Sequence, residues 1–557
     1  MPGPDAPQDV AATFCATLID EWVSLGVQHA VVAPGSRSTP MAVALTARTD
    51  IHTHVFHDER SAAFAALGIG LHGMPAILLC TSGTAAAHFH AAVIEAHQSS
   101  VPMLVCTADR PPELRDVGAP QTIDQIKLYG SAVRWFHDPG VAEWTTSSSW
   151  RALAAHAFTK ATTSWPGPVH INLPFREPLL GNAAELPLRS AAATDAPRSM
   201  AAIDDDGVEA VAGRLRGRCG VLVAGRGCGS PDAVRQLAQR LGWPVLADAR
   251  SGVRHFTDVA VAAADRLLRS DTFAEAHRPV VVVRLGELPA SKVINQWLSA
   301  TGAEHIAVSA HPAWFDPDAV VSMHVLADPS RLCRRLSAAV DRPYDSRWLA
   351  GWIAAETAAQ QRIDEILSGP ELDEPLVARA IASLLPSPAN LVVSSSMPIR
   401  DVEWFGIVPA GVTVQSNRGA NGIDGVLATA IGIGLATGRT TGLLIGDVAF
   451  LHDSSSLTGL VRRDVDLRIV VVDNDGGGIF NFLPQAAALD DDRFERLFGT
   501  PHGADIVALA VAHGLPARSV KTLDDLREAL SEPGPRVTRV ETDRRRNVTV
   551  HQRLNHE

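Results

Sequence analysis

Two stretches of the sequence indicate the fold class most clearly: TGLLIGD at residues 441–447 and LRIVVVDNDGGG at residues 467–478. Each begins with a short apolar run of the kind that forms a buried strand of a parallel sheet, and each run ends in an acidic residue, Asp447 or Asp473. The 26 residues between Asp447 and Asn474 are enough for one crossover helix and a returning strand. Because ligands bind beyond the carboxyl ends of parallel strands, both acidic ends are expected at one binding edge.

The same alternation of short β-rich runs and longer helical patterns recurs in three consecutive segments, and it is typical of βαβ units with parallel sheets. Strands are predicted at residues 29–35, 76–83, 101–109, 220–227, 244–248, 278–286, 390–396, 441–447 and 467–474, and a helix at residues 84–98. The predicted fold class is α/β, with three tandem doubly wound parallel-sheet domains. Their expected ranges are residues 1–182, 205–340 and 371–557, with a linker near residues 180–205 and helix breakers within residues 335–370.

Length and composition restrict the class of protein. A chain of 557 residues exceeds what one hydrophobic core supports, and 46% hydrophobic with 20% charged residues is an ordinary globular composition. The formal net charge is −12 and the basic residues are scattered, which argues against nucleic-acid partners. The six cysteines form no C-x-x-C pair, and neither a signal peptide nor a membrane-spanning run is indicated. We therefore expect a cytoplasmic protein with buried free thiols and no membrane partner.

The two acidic strand ends supply the kind of ligand that a magnesium ion prefers. Mg²⁺ takes octahedral oxygen ligands and usually joins one or two protein groups to a phosphate. The carboxylate of Asp447, the side-chain oxygen of Asn474 and a backbone carbonyl of the glycine run, assigned to Gly476, would form half of such a shell. The glycines also allow the backbone to approach an anion closely. Either stretch alone is typical of an ordinary strand-ending turn, but both together at this spacing favour a metal site.

This pair of stretches resembles the thiamine diphosphate motif, in which Gly-Asp is followed after one crossover by Asn. Val448 stands where many members carry Gly, and Asp473 stands where a first Asn is common, but neither difference removes a metal ligand. The resemblance implies thiamine diphosphate and Mg²⁺ or Mn²⁺ as cofactors. The residues expected to bind them here are Gly446, Asp447, Asn474 and Gly476.

Thiamine diphosphate needs a carboxylic acid beside its pyrimidine ring, kept partly protonated near neutral pH by burial. Glu59 suits this role because it ends HTHVFHDE and opens the apolar helical pattern of RSAAFAALGIGLHG. Gly83 and Thr84 stand at another predicted strand end, where a cofactor would meet the backbone. All three residues are therefore expected at the cofactor.

Two other interpretations of the Glu59 stretch compete with the cofactor role. Glu59 would also favour a helix N-terminus through the macrodipole. With His52, His54 and His57 it suggests a zinc site as well. Alternation along a strand, however, places His52 and His54 on one face and His57 on the other. The three side chains are therefore badly placed to bind one zinc ion together.

Seven stretches spread over all three segments together resemble one family of thiamine enzymes, the 2-succinyl-5-enolpyruvyl-6-hydroxy-3-cyclohexene-1-carboxylate synthases of menaquinone biosynthesis. They are PGSRSTPM (34–41), HDERSAAFAALG (57–68), TSGTAAA (81–87), TADRPPEL (107–114), SSSMPIRD (394–401), SNRGANGIDG (416–425) and DGGGIF (475–480). The resemblance implies a transferase that decarboxylates 2-oxoglutarate and adds the succinyl carbanion to isochorismate in a conjugate addition. It also implies a pyrimidine-binding first domain, a central domain and a diphosphate-binding third domain, assembled as a homodimer or homotetramer.

The resemblance further implies a set of substrate-binding residues. Both substrates are dicarboxylates, and arginine binds carboxylates through its bidentate fork. Arg37, Arg400 and Arg418 are expected to act in catalysis together with Glu59, with Arg37 holding isochorismate and the other two arginines on the succinyl side. The residues expected to bind substrate are Ser36, Arg37, Arg110, Gln121, Lys292, Ser396, Arg400, Arg418, Ile479 and Phe480. Considered alone, each arginine has the alternative interpretation of an ordinary surface or ion-pair residue. At position 293, directly after Lys292, this sequence has valine where some members of the family carry arginine.

Several apolar and glycine-rich features have more than one interpretation. Ile423 resembles the residue that wedges between the two cofactor rings, but Ile423, Ile479 and Phe480 are also ordinary core candidates. Residues 220–230, GVLVAGRGCGS, suggest a dinucleotide fingerprint, yet position 230 is serine and no convincing acidic partner follows. The remaining alternatives are another thiamine-dependent 2-oxo acid decarboxylase or carboligase, a Rossmann-type oxidoreductase and a non-catalytic binding protein.

Overall fold

The computed structural model describes residues 9–189, 203–340 and 346–556. The chain forms two compact units. The first comprises Met1–Ser199, Asn417–Gly438 and His452–Val465, and the second comprises Met200–Ser416, Arg439–Leu451 and Asp466–Glu557. Two short stretches of the third predicted domain therefore belong to the same unit as the first predicted domain.

The first segment builds a six-stranded parallel sheet with the order β2-β1-β3-β4-β6-β5. Its strands are β1 (His29–Val32), β2 (His52–Val55), β3 (Ile77–Cys80), β4 (Met103–Asp109), β5 (Trp135–His137) and β6 (Pro168–Pro174). Its helices are α1 (Val10–Ser24), α2 (Thr39–Thr46), α3 (Glu59–Gly70), α4 (Thr84–His88), α5 (His90–Gln98) and α6 (Trp150–Thr162). Every residue of β3, β4 and β6 is buried, as expected for parallel strands covered on both faces.

The second segment builds another six-stranded parallel sheet, with the order β12-β11-β10-β7-β8-β9. Its strands are β7 (Gly220–Ala224), β8 (Val245–Ala247), β9 (Ala260–Val261), β10 (Val281–Leu285), β11 (Glu304–Ser309) and β12 (Val321–Leu326). Its helices are α7 (Asp205–Leu215), α8 (Pro231–Leu241), α9 (Ala264–Leu268), α10 (Asp271–Ala276), α11 (Lys292–Ala300) and α12 (Pro329–Ala339), and α13 (Ser346–Ile366) follows them.

The third segment builds the sheet that carries the two acidic strand ends, with the order β14-β13-β15-β16-β18-β17. Its strands are β13 (Ala389–Val393), β14 (Val412–Gln415), β15 (Thr440–Gly446), β16 (Leu467–Asp473), β17 (Ala517–Val520) and β18 (Arg536–Glu541). Its helices are α14 (Glu374–Leu384), α15 (Met397–Phe405), α16 (Val426–Thr437), α17 (Asp447–His452), α18 (Gln485–Ala488), α19 (Asp491–Phe494), α20 (Ile506–Ala512), α21 (Leu523–Ser531) and α22 (Arg544–His556).

Close packing of α3 against α16 explains why α16 belongs to the first unit. A Cβ added at Gly68 of α3 would overlap the carbonyl oxygen of Thr429, and one added at Gly432 of α16 would overlap that of Ala65. Glycine at both positions lets the two backbones approach to direct contact. The loop that precedes α16 is thereby held in the same unit as Glu59, the first residue of α3.

The predicted fold class is confirmed: all three sheets are parallel, and each predicted strand overlaps a strand of the structure. The predicted helix at residues 84–98 is present as α4 and α5, which meet at Phe89. Of the linker predicted near residues 180–205, residues 190–202 lie outside the described residues, whereas Asn182 and Ala184 are hydrogen-bonded to Asp9 and Thr13 of the N-terminal segment. In the stretch 335–370, residues 341–345 of the first predicted breaker lie outside the described residues, and α13 ends at Ile366, just before the second predicted breaker, which begins at Ser368. The domain boundaries themselves stay a prediction.

The glycines of residues 220–230 have a packing role in the structure. A Cβ at Gly225 would overlap the carbonyl oxygen of Glu287, and Gly229 has φ +90° with the backbone of Ser330 close by. These contacts account for Gly225 and Gly229 without a bound dinucleotide. None of the six cysteines, all of which lie in the described residues, forms a disulfide, and five of them are buried, as expected. Among the described helices, none is long and apolar enough to cross a membrane.

Candidate active site

Asp447 and Asp473 lie next to each other at the carboxyl edge of the third sheet. β15 and β16 are adjacent parallel strands in which Gly446 stands opposite Val472, so that both strands end at the same level. α17 begins at Asp447, directly after β15, and Asp473 is the last residue of β16. The structure therefore brings the two acidic strand ends together, as their spacing along the chain predicts.

The carboxylate of Asp447 anchors the glycine run. Its Oδ2 accepts hydrogen bonds from the backbone N–H of Asn474 at 3.1 Å and of Gly476 at 2.9 Å, and its Oδ1 accepts one from the N–H of Val448 at 2.7 Å. Gly476 has φ +141°, and a Cβ there would overlap the carbonyl oxygen of Gly499. Glycine is thus required at position 476 for the run to follow this path.

Asn474 presents a side-chain oxygen that accepts no hydrogen bond from the described part of the chain. Its Nδ2 donates a hydrogen bond to Oε1 of Glu374 at 2.9 Å, whereas its Oδ1 is buried without a hydrogen-bond partner among the described residues. A buried acceptor without a partner costs free energy unless a ligand satisfies it. Together with the Asp447 carboxylate and the carbonyls of the glycine run, this oxygen completes a set of hard donors that fits Mg²⁺ or Mn²⁺. We call Asp447, Asn474 and Gly476 the oxygen-donor cradle.

The structure adds His502, a residue that the sequence analysis does not single out. Its Nε2 lies 3.2 Å from Oδ2 of Asp447 and 3.9 Å from Oδ1 of Asp473. Asp475 holds the loop of His502 by accepting its backbone N–H at 2.9 Å. Among the described residues, only one group of three histidine, cysteine, aspartate or glutamate side chains has ligand atoms that all lie within 4.8 Å of one another. This group consists of Asp447, Asp473 and His502. Spacing along the chain gives no signal for a contact that a distant loop makes.

Burial governs the ionisation of the groups around the cradle. Burial raises the pKa of the Asp447 carboxyl, and this effect outweighs the hydrogen bonds to the carboxyl, which lower its pKa. Burial also raises the pKa of Glu374 to about 7, and the nearby Asp401 carboxylate adds to this shift. Asp473 is instead paired with Arg539, whose Nε lies 2.5 Å from its Oδ2. A cation in the cradle would favour the ionised form of Asp447, since an opposite charge lowers the pKa of a carboxyl.

Glu59 borders the apolar body of α3, as the sequence predicts. Asp58 caps this helix by accepting the backbone N–H of Arg60 at 2.8 Å and of Ser61 at 3.2 Å. The residues of α3 from Ser61 to Gly70 are all buried, while the side chain of Glu59 is half-buried. Glu59 therefore lies at the border between an apolar interior and the accessible surface of the first unit.

Gly83 and Gln121 lie together beyond the carboxyl end of β3. Gln121 donates from Nε2 to the carbonyl of Ser82 at 3.0 Å, and a Cβ at Gly83 would lie 3.0 Å from Cγ of Gln121. Gly83 has φ +88° and donates its N–H to Oε1 of Gln125 at 2.8 Å. Thr84 begins α4 with an exposed side chain. One cluster thus contains the predicted cofactor residues Gly83 and Thr84 together with the predicted substrate residue Gln121.

The loop that carries Arg418 and Ile423 is anchored by Glu95 of α5. Glu95 is 3% exposed, and its Oε1 and Oε2 accept the backbone N–H of Gly419 at 2.7 Å and of Ala420 at 2.6 Å. Arg418 and Ile423 flank this attachment and are half-buried. Glu95 is a further residue that the sequence analysis does not identify, because its contact joins positions more than three hundred residues apart.

Arg37 is the most buried of the predicted substrate arginines in the first unit. It is 4% exposed and donates to the carbonyl of Phe175 at 3.0 Å and to Oε1 of Glu177 at 3.1 Å. Ser36, one residue earlier, is exposed. Arg110 is half-buried, and its buried Nε has no hydrogen-bond partner among the described residues. Arg37 thus already has a carboxylate partner within the chain.

The remaining predicted residues lie in the second unit. Ser396 has φ +73° and precedes α15, and its carbonyl accepts a hydrogen bond from Arg400 at 2.6 Å. Burial lowers the pKa of the Arg400 guanidinium. Lys292 begins α11 and is exposed, whereas Ile479 and Phe480 follow the glycine run and are half-buried. Ser396 and Arg400 are therefore in direct contact.

Models of known families match three successive parts of the chain. Residues 12–128 match the thiamine pyrophosphate enzyme N-terminal TPP-binding domain, residues 206–393 match the middle domain of thiamine pyrophosphate enzymes, and residues 410–537 match the C-terminal TPP-binding domain. The structure is also similar to benzoylformate decarboxylase from Polynucleobacter necessarius, with a TM-score of 0.74 and 19% identity over 95% of this chain and 98% of that chain. At that identity the likeness concerns the fold alone.

Three full-length relatives carry one common name, 2-succinyl-5-enolpyruvyl-6-hydroxy-3-cyclohexene-1-carboxylate synthase. The protein from Thermobifida fusca is 41% identical over 98% of both chains. That from Myxococcus xanthus is 40% identical over 97% of this chain and 96% of its own. That from Chloroflexus aurantiacus is 38% identical over 97% of this chain and 95% of its own. With the three domain matches, these likenesses show that the chain belongs to the thiamine diphosphate enzymes and, within them, to the family of 2-succinyl-5-enolpyruvyl-6-hydroxy-3-cyclohexene-1-carboxylate synthases.

Proposed function

We propose that this chain decarboxylates 2-oxoglutarate and joins the remaining succinyl unit to isochorismate, which gives 2-succinyl-5-enolpyruvyl-6-hydroxy-3-cyclohexene-1-carboxylate, a step of menaquinone biosynthesis. The observation that carries the proposal is the oxygen-donor cradle of Asp447, Asn474 and Gly476. It occurs in a chain that is similar over nearly its full length to relatives of that name.

The cradle would hold the divalent metal and, through it, the diphosphate of the cofactor. Thiamine diphosphate supplies, when bound, the electron sink that lets a 2-oxo acid lose CO₂ and its former carbonyl carbon attack an acceptor. Asp447 contributes the anionic ligand, Asn474 its unpartnered Oδ1, and Gly476 a backbone carbonyl. Gly446 is the last residue of β15 and directly precedes Asp447, and we assign it to backbone contacts with the cofactor.

Glu59 would hold a proton at the pyrimidine ring of the cofactor. It stands at the border of the buried face of α3, and a carboxyl group is a side chain that can exchange a proton with a bound base. We assign Gly83 and Thr84 to backbone contacts with the cofactor, and Ile423 to packing between its rings.

The predicted polar residues would bind the carboxylates of the two substrates. Arg400 is supported by its contact with Ser396, and Arg418 by the anchored loop on which it lies. Arg37 is paired with Glu177, whose side chain is 74% exposed, so a substrate carboxylate would have to compete with that glutamate. The full set proposed for substrate binding is Ser36, Arg37, Arg110, Gln121, Lys292, Ser396, Arg400, Arg418, Ile479 and Phe480.

We also propose that the chain acts in the cytoplasm as a twofold-symmetric homodimer, or as a tetramer built from two such dimers. On the pattern of the resembling family, Glu59 of one subunit and the oxygen-donor cradle of the other would lie around each cofactor. A closed dimer with two equivalent sites is then the smallest active assembly.

One assay tests the proposed reaction. Purified protein is incubated with thiamine diphosphate, Mg²⁺ and 2-oxoglutarate, with and without isochorismate, and the products are identified by mass spectrometry. We expect the named product only when isochorismate is present, and much less of it from an Asp447→Asn variant at the same, non-saturating concentration of thiamine diphosphate. Release of CO₂ with formation of succinic semialdehyde but no product from isochorismate would instead identify a simple 2-oxo acid decarboxylase.

A further inference from the structure

A buried carboxyl group lies directly behind the predicted metal ligand Asn474. Glu374 is the first residue of α14, is 4% exposed, and is preceded by Asp373, which caps the helix. Its Oε1 accepts a hydrogen bond from Nδ2 of Asn474 at 2.9 Å and a second, longer one from Oγ1 of Thr542 at 3.3 Å. Glu374 thus contacts a cradle residue from a helix that begins one hundred residues earlier in the chain.

The side-chain amide of Asn474 has two chemically different ends, and only one of them binds a metal. The carbonyl oxygen offers lone pairs, whereas the NH₂ group offers only donors. A carboxylate oxygen accepts hydrogen bonds, so Glu374 meets the NH₂ end of the amide and turns Oδ1 to the opposite side. That Oδ1 is the buried atom without a partner in the described residues.

The backbone of Asn474 is held as firmly as its side chain. Its N–H donates to Oδ2 of Asp447 at 3.1 Å, so the residue is bound to one carboxyl through the main chain and to another through the amide. With the main chain fixed, rotation of the amide is the remaining freedom that would replace a metal-binding oxygen by an NH₂ group. The Glu374 contact removes that freedom.

We propose that Glu374 is a positioning residue of the metal site, which orients the side-chain oxygen of Asn474 toward the cation without binding the cation itself. The proposal rests on the metal-binding role proposed for Asn474. Groups that orient a metal ligand typically change the metal affinity by roughly 10- to 100-fold when they are removed.

The test compares Mn²⁺ affinities of full-length variants with thiamine diphosphate present, measured from the electron paramagnetic resonance signal of free Mn²⁺. Glu374→Met removes the acceptor and fills the space with an apolar chain of similar size. Glu374→Gln keeps an acceptor oxygen in reach of Asn474. We expect the methionine variant to bind Mn²⁺ about 10- to 100-fold more weakly, and the glutamine variant to stay within about threefold of the parent protein.

Two further variants separate orientation of Asn474 from general disturbance of a buried site. Thr542→Val removes the other hydrogen bond to the same oxygen and is expected to leave Mn²⁺ affinity within about threefold. Glu374→Asp keeps the charge but withdraws the carboxyl from Asn474, and it is expected to weaken Mn²⁺ binding. Because it preserves the buried carboxyl, the aspartate variant also serves if the methionine variant does not fold, as judged by circular dichroism.

A double-mutant cycle distinguishes failure of this proposal from failure of the metal site itself. If Asn474→Ala leaves Mn²⁺ affinity unchanged, the proposed metal role of Asn474 is wrong. If Asn474→Ala weakens binding and Glu374→Met adds nothing further in that background, the two residues act through one contact, as proposed. Parent-like Mn²⁺ binding by Glu374→Met or Glu374→Asp, or an undiminished additional loss in the Asn474→Ala background, would overturn the positioning role.

Discussion

Asp447 is the residue on which several contacts of the metal site converge, since its two carboxylate oxygens accept three backbone N–H groups and Oδ2 also lies beside His502. Asp447→Asn keeps the shape of the side chain but removes its charge. Losing one charge-assisted contact costs about 1.5–3 kcal/mol, so thiamine diphosphate should bind roughly 10- to 150-fold more weakly at a fixed Mg²⁺ concentration. Calorimetry measures this affinity, and Asp492→Asn at an exposed position serves as the control. An unchanged affinity would remove Asp447 from the cradle.

Glu59→Gln tests the proton-holding role at the other end of the cofactor. Glutamine has the same shape but cannot exchange a proton, so turnover should fall by roughly 10²–10⁴, the usual range for an acid–base group. Cofactor affinity should change much less, because no metal or diphosphate ligand is lost. Steady-state kinetics and calorimetry on the same preparation separate the two quantities. Near-normal turnover would exclude Glu59 from the mechanism.

The cradle residues could be predicted from the sequence because strand ends on neighbouring parallel strands are forced to one edge of a sheet. Asp447, Asn474 and Gly476 all stand directly at such ends. His502 and Glu374 could not be predicted in this way. They reach the same place from a distant loop and from the start of α14, and neither periodicity nor spacing encodes those contacts.

At the scale of elements, the attachment of one loop to one helix decides where Arg418 lies. Glu95→Gln replaces one of the two carboxylate oxygens that accept Gly419 and Ala420 by an NH₂ group, which leaves a backbone N–H without an acceptor. An unsatisfied group of this kind costs about 1–3 kcal/mol. We expect the Michaelis constant for 2-oxoglutarate to rise by about tenfold while the overall fold is kept.

Ser99→Ala is the matched control for Glu95→Gln. Ser99 donates from Oγ to Oε1 of Glu95 at 2.8 Å, so its removal perturbs the same carboxyl but spares both contacts to the loop. Circular dichroism verifies the fold of both variants. An equal rise of the Michaelis constant for 2-oxoglutarate in both variants would show that this rise does not depend on the attachment of the loop to Glu95.

The assignment of α16 shows why element types were easier to predict than their partners. The sequence places residues 371–557 in one domain, whereas the structure puts Asn417–Gly438 and His452–Val465 in the first unit. The reason is the glycine-mediated contact of α3 with α16, which needs Gly68 and Gly432 at matching heights on two helices. A hydrophobic run indicates that a helix is buried, but it does not indicate against which helix it packs.

At the scale of the whole molecule, one buried and two half-buried histidines with lowered pKa values should make the protein labile in acid. Burial lowers the pKa of His170 to about 3, that of His54 to about 3 and that of His29 to about 4. Between these values and about pH 6.5, the unfolded chain binds protons that the folded chain does not. The stability contributed by these groups is therefore fully present above about pH 6.5 and is lost as the pH falls toward their folded-state pKa values.

His170→Gln tests this acid lability at one site. Glutamine keeps a polar group near Thr107, whose Oγ1 lies 2.7 Å from Nε2 of His170, but it takes up no proton in this range. Thermal unfolding midpoints at about pH 7.5 and about pH 5 should therefore differ less in this variant than in the parent protein. His88→Gln at an exposed position is the control. An unchanged pH dependence in His170→Gln would contradict the prediction.

The proposed dimer predicts that two impaired variants restore activity when they are mixed. At a thiamine diphosphate concentration near the dissociation constant of the parent protein, Glu59→Gln and Asp447→Asn each lower the activity of every site in their own homodimer by about tenfold or more. In a mixed dimer whose sites pair Glu59 of one subunit with Asp447 of the other, one site holds both substitutions and the other holds none. Random exchange makes half of the dimers mixed, so about one quarter of the parent activity should return. Mass spectrometry of the intact dimers measures the exchange. If each chain instead supplied both residues of its own site, every site would keep one defect, and proven exchange would restore no activity.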